Sequence, residues 1–191
     1  MEPNVSLPTN PALRNGIDLD ALQATIDAVT ADPAKAQTNW TIRSEWLGGT
    51  RSDHHVDGYS IGGEYVPRPF RISIDEPFEL TGSNEFANPQ EYLLSAMNAC
   101  MIVGYAAVAG LMGIDLDSLE VETTGDIDLR GFLGISGEVP PGYPRLEQRV
   151  KIKSRASSEE LAKLHETVQR TSPNFFNITQ KVDVNSQLQT D

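Results

Sequence analysis

The chain has 191 residues, 39% of them hydrophobic, enough at this length for a real core in one domain with an appendage. Twenty-seven acidic against fifteen basic side chains leave a formal net charge of −12, a surface that repels a phosphate backbone and excludes a nucleic-acid role. The one cysteine, Cys100, excludes an intrachain disulfide and a multi-thiolate metal site.

Met1 to Gly16 carries neither a basic n-region nor an apolar h-region, so no secretory signal is expected and the cytoplasm is the expected compartment. This stretch is rich in Pro and Asn and reads as extended or loose. Asp18 then caps a helix over Leu19–Ala31, with Leu19, Leu22, Ile26 and Val29 on one face. Asp32-Pro33 ends it. Residues 1–38 form an N-terminal extension built on this amphipathic helix, and 39–191 the main domain.

Asn39–Leu47 alternates and predicts one strand, with Trp40, Ile42 and Trp46 on a common face. Arg51–Tyr59 reads as a polar strand or loop, and Phe70–Ile74 as a second alternating strand. His54 and His55 adjoin Asp53 and Asp57. Neighbours on a strand face opposite ways, so no metal site is expected there.

Asn88–Gly113, NPQEYLLSAMNACMIVGYAAVAGLMG, is the stretch round which the rest is organised. Asn88 suits an N-cap, Pro89 the first helical position and Gly113 a C-terminal stop. No charge falls between Leu93 and Met112. That length matches a membrane span, but no Lys or Arg flanks it closely, so a buried soluble helix is expected.

Beyond it, Leu119–Leu129 predicts a strand with Val121, Thr123, Gly125, Ile127 and Leu129 on one side. Arg130–Pro144 is a Gly/Pro loop and Arg145–Ser154 a strand. Ser157 and Glu160 form a capping box for a helix to about Arg170, with Leu161, Leu164 and Val168 inward and His165 on a solvated face. Ser172-Pro173 starts one more turn, and Lys181–Asn185 reads as a closing strand. Strands on both sides of a central helix, without βαβ alternation, predict an α+β fold.

A free cysteine in an apolar helix is ordinarily a small core residue, inert unless a positive group favours its thiolate. Here, however, NPQEYLLSAMNAC resembles the central-helix signature of the OsmC/Ohr family, the osmotically inducible and organic hydroperoxide resistance proteins. The GGT-R segment (Gly48, Gly49, Arg51), DIDLRGFLG and RTSPNFFNI resemble one subgroup of that family, over roughly Ile42–Asn185.

The resemblance implies antiparallel sheets wrapped round a long central buried helix in an intertwined homodimer. It implies a thiol peroxidase acting on organic hydroperoxides, with Cys100 as nucleophile, Arg51 as the cation beside it, and Glu91 as the acidic partner in the broader pattern; no cofactor or metal is expected. Phe132, Leu133, Phe175 and Phe176 are candidate walls of an apolar substrate pocket. Two positions depart from the pattern. Ser172 stands where a second cysteine resolves the oxidised sulfur, and Gln90 where a glutamate pairs with the arginine. An external thiol must then serve as resolver. The alternative is a catalytically degenerate protein binding a small apolar ligand between subunits. No nucleic-acid or membrane partner is expected.

Overall fold

The computed structural model describes residues 13–190, so most of the extended stretch expected over Met1 to Gly16 lies outside the described residues. The fold is α+β, with antiparallel sheets and one long helix. The chain divides into two compact units, one comprising Ile17–Ser95 and the other Ala96 onward together with Arg14–Gly16.

Two short strands come first, β1 (Leu13–Arg14) and β2 (Ile17–Asp18). In the first unit, helix α1 (Leu19–Ala31) starts where expected, with the Asp18 carboxylate accepting the Ala21 N–H at 3.0 Å. Three strands gather on β5 (Ser52–Ile61). β6 (Glu64–Ile74) pairs along one edge, while β3 (Thr38–Trp40) and β4 (Arg43–Trp46) share the other. The single strand expected over Asn39–Leu47 is thus two. Trp40 pairs with Tyr59 and Arg43 with His55, so Thr41 and Ile42 face Val56, Asp57 and Gly58. Two residues opposite three is a bulge, and it breaks the ladder. β6 is longer than expected and includes Pro67 and Pro69, which an edge strand tolerates.

Helix α2 (Pro89–Leu111) is capped at both levels. Asn88 Oδ1 accepts the Glu91 N–H at 2.9 Å, and the Glu91 carboxylate accepts the Asn88 N–H at 2.7 Å. The helix ends before Gly113, whose φ of 75° reverses the chain. Among the described residues it is the helix long and apolar enough to cross a membrane. Within one chain its buried side chains form a single stripe, Met97, Met101, Tyr105 and Ala109, spaced by four as one helix face requires, with Gly110 buried beside the last of them. Val103 is 64% exposed, and Leu93, Ile102 and Leu111 are also uncovered.

In the second unit β7 (Leu116–Gly125) pairs antiparallel with β8 (Leu146–Ser154). β7 stops earlier than expected. Asp128 accepts the Arg130 N–H and opens a short helix, α3 (Leu129–Phe132), which takes Leu129 off the strand face. α4 (Ser158–Thr171) carries the expected capping box, and α5 (Pro173–Thr179) follows directly. The closing strand expected over Lys181–Asn185 is not formed; that segment has no regular structure, and no strand pairs with it among the described residues.

Met101, Tyr105, Ala109, Ile114, Leu164 and Val168 form the core, with Leu119, Val121, Val150 and Ile152 closing it from the sheet. Gly104 lets α2 and α4 approach. A Cβ there would lie 3.0 Å from Cγ1 of the fully buried Val168, which would have to give way. Near the N-terminus Asn15 mimics a strand residue: its amide donates to the Ile114 carbonyl at 2.9 Å and accepts the Leu116 N–H at 2.9 Å.

His165 departs from the sequence reading. It is half-buried rather than solvated, and its Nδ1 shares a short hydrogen bond with the buried Tyr105 hydroxyl. Burial pushes the Tyr105 phenol up to about 12. A pKa raised in the folded state means stability present below the ordinary tyrosine value near 10 and lost as pH rises from there through the folded value. Tyr105→Phe is therefore expected to flatten the alkaline loss of stability, read as urea midpoints between about pH 9 and 12. A variant curve parallel to the wild type throughout that window would refute this.

Candidate active site

Cys100 sits half-buried on α2. A hydroxyl from the junction of α4 and α5 reaches its sulfur. Pro173 bars Ser172 from helical backbone, so α4 ends at Thr171 and Ser172 caps the next helix. The Ser172 hydroxyl accepts the Phe175 N–H at 3.4 Å and donates to Cys100 Sγ at 3.4 Å. Ser172 is 4% exposed. Asn174 Nδ2 donates to the Ala96 carbonyl at 2.9 Å and ties the start of α5 to the turn of α2 before Cys100. An O–H donor on sulfur stabilises negative charge there. Serine offers no second sulfur, so an oxidised Cys100 has no internal partner for a disulfide.

Two residues before Cys100, Asn98 anchors α2 to the sheet. Thr123 Oγ1 donates to Asn98 Oδ1 at 2.6 Å, and Gln148 Nε2 reaches the same oxygen at 3.3 Å. Phe175 packs against the core cluster, whereas Phe132, Leu133 and Phe176 are more than half exposed.

Arg51 lies in the first unit, just before β5. Its Nη1 is 3.1 Å from Glu85 Oε2, and its guanidinium carbon is 4.9 Å from the Phe86 ring centre. Its Nε is shut off from solvent and has no hydrogen-bond partner among the described residues. Of the two carboxylates, Glu85 meets Arg51, while Glu91 is engaged in the α2 cap. Gln90 is exposed.

Sequence reasoning missed Glu85 and also Asp75, which stands beneath the segment carrying it. Asp75 is 1% exposed and is held by hydroxyls and backbone. Thr50 Oγ1 donates to Oδ1 at 2.6 Å, and Ser83 donates to Oδ2 from its N–H at 2.8 Å and from its hydroxyl. The Ser83 and Thr50 hydroxyls, the largest causes, hold the Asp75 carboxyl well below the usual carboxylate range. The only signal in sequence was a turn-rich connector. Nothing local says which distant strand end it folds onto.

The histidines divide between two faces of β5. His54 Nδ1 meets Ser44 Oγ at 2.7 Å and His54 Nε2 meets Ser52 Oγ at 3.0 Å. On the other face His55, Asp53 and Glu45 bring one ligand atom each within 4.8 Å of one another. The carboxylates are already compensated. Arg43 lies 3.7 Å from Glu45, Arg71 lies 3.5 Å from Asp53, and the Ser73 hydroxyl donates to Asp53 at 2.7 Å. The cluster is a cross-strand ion-pair ladder.

Fold and thiol together define a class: an α+β protein with one half-buried cysteine in the middle of its long helix. The family model for OsmC-like protein matches residues 82–187, more than half the chain, and the chain belongs to that family. It is similar to YmaD of Bacillus subtilis (strain 168), described as an uncharacterized protein, with 28% identity over 120 residues covering 61% of this chain and 74% of that one. Among solved structures, an OsmC-like protein from Mycoplasma pneumoniae superposes with a TM-score of 0.59 at 16% identity, over 74% of this chain and 87% of that chain. An OsmC-like protein of unknown function from Vibrio cholerae superposes with a TM-score of 0.52 at 12% identity, over 72% and 91%. At these identities the two structures speak for the fold alone.

Proposed function

We propose that the chain is a thiol-dependent reductase of organic hydroperoxides that works as a homodimer in the cytoplasm. The observation that carries this reading is the Ser172 hydroxyl directed at Cys100 Sγ. The thiolate attacks the distal peroxide oxygen and the O–O bond breaks. The alkoxide leaves and takes up a proton as the alcohol, and the sulfur becomes a sulfenic acid. An external thiol condenses with that sulfenic acid, releasing water and forming a mixed disulfide. A second thiol then restores Cys100 and leaves as the external disulfide.

Arg51 is the cation the family pattern assigns to the thiolate and the departing oxygen, with Glu85 as its carboxylate partner. The apolar faces left uncovered on α2, with Trp46 75% exposed on β4, support the homodimer. A monomer in sedimentation at micromolar concentration would remove that part of the proposal.

The test is turnover of cumene hydroperoxide with a dithiol. Cys100→Ser is expected to abolish it, and Arg51→Ala to lower kcat/KM about 10- to 100-fold, the worth of one charged hydrogen bond. Turnover untouched by Cys100→Ser would end the reading. Ser172 in the resolving position favours a second one, a catalytically degenerate protein holding a small apolar ligand against Phe132, Leu133 and Phe176. Absence of turnover, with saturable binding of an apolar fluorophore by the dimer, selects it.

A further inference from the structure

We infer that Asp75 is a positioning residue: its buried carboxylate staples Thr50 to Ser83 and thereby holds the Arg51–Glu85 pair in one conformation. Thr50 is the residue before Arg51, and Ser83 lies two before Glu85. The two sides of the pair come from segments far apart in the chain, and the described hydrogen bonds of Asp75 clip both to the end of β6. A cleft of about 320 Å³ opens beside them, bordered by Gly48, Arg51, Asp75, Ser83 and Glu85. An exposed Arg–Glu pair alone is a loose constraint, because two long side chains lose rotamer freedom for little gain. The staple supplies order that the ion pair does not.

The connector is built to return to Asp75. Gly82 N–H donates to the Pro77 carbonyl at 3.0 Å and Asn84 N–H to the Glu76 carbonyl at 3.1 Å. Thr81 and Asn84 take left-handed backbone, with φ of 67° and 55°. A Cβ on Gly82 would fall 1.7 Å from the Glu76 carbonyl oxygen, so only glycine allows this closure. Aspartate suits the post better than asparagine. An ionised carboxylate accepts from every donor present through charge-assisted bonds, whereas an amide carries no charge and turns the Thr50 hydroxyl from donor to acceptor, which weakens the clip on both sides.

The role of Arg51 in turnover rests on the reading above, so the experiment has two independent readouts. One is the modification rate of Arg51 by phenylglyoxal, mapped by peptide mass, with amide exchange over residues 81–87. The other is kcat/KM for cumene hydroperoxide. Asp75→Asn is expected to raise both Arg51 modification and exchange at Ser83 to Glu85 about tenfold, with β5 and β6 amides unchanged. It is also expected to lower kcat/KM about tenfold in wild type and not at all in an Arg51→Ala background.

Arg51 modification and Ser83–Glu85 exchange at wild-type rates in Asp75→Asn overturn the inference, whatever turnover does. Equal losses of kcat/KM with and without Arg51 also overturn it. If Arg51→Ala leaves turnover unchanged, the peroxidase role of Arg51 fails while the modification data still decide on the staple. Should Asp75→Asn not fold, Thr50→Val and Gly82→Ala release the same clip from its two sides and are expected to give the same pattern, smaller for Thr50→Val.

Discussion

Ser172→Cys is expected to convert this single-thiol protein into one that resolves its own oxidation. The Ser172 hydroxyl oxygen is 3.4 Å from Cys100 Sγ, on the rigid cap between α4 and α5. A cysteine there carries its sulfur on a longer bond from the same Cβ, toward the roughly 2.05 Å that a disulfide requires. One equivalent of cumene hydroperoxide should oxidise Cys100 to the sulfenic acid, and the new thiol should displace its hydroxyl as water. Free thiols in the variant then fall from two per chain to none, and no dimedone adduct forms. In the wild type the adduct accumulates on Cys100. Two free thiols persisting after oxidation would show that the α4–α5 junction does not present residue 172 to the sulfur in solution.

Leu164→Ala should produce the largest loss of stability. Leu164 is fully buried, in one cluster with Met101, Tyr105, Ala109, Ile114 and Val168. All but Ile114, which lies just past the end of α2, come from two helices pinned against each other at Gly104, so the site has little freedom to collapse on a void. A loss of about 2–5 kcal/mol is expected, a large share of the stability of a domain this size. Urea unfolding at one fixed protein concentration measures it, since dimerisation would make stability concentration-dependent. Leu188→Ala is the control. That side chain is 89% exposed, and its removal should change stability by no more than about 0.5 kcal/mol. Equal effects at the two positions would mean the core is not where the structure puts it.

Elements whose signals are local were legible. Asp18 caps α1, Ser157 and Glu160 close the box on α4, and Asn88 caps α2 with Glu91, each through atoms within three residues. The alternation in β7 and β8 put Val121 and Val150 on the covered face. Where a remote partner decided, the reading failed. The break at Thr41-Ile42 answers a bulge in β5, and the missing strand at Lys181–Asn185 finds no edge to pair with among the described residues. His165 looked solvated on its own helix because the hydroxyl that claims it belongs to α2, 60 residues away.

By itself, then, the sequence determined the family, the long thiol-bearing helix and the serine that stands in for a second cysteine, because motif spacing and caps are written in neighbouring residues. Tertiary structure alone decided that this serine touches the sulfur, that Glu85 and not Glu91 meets Arg51, and that Asp75 lies beneath them. Those contacts join residues 25 to 72 positions apart, or sit on a connector whose return path is set by β6 and Gly82. No local propensity encodes which of several turn residues will meet a distant carboxylate; the closure of the chain does.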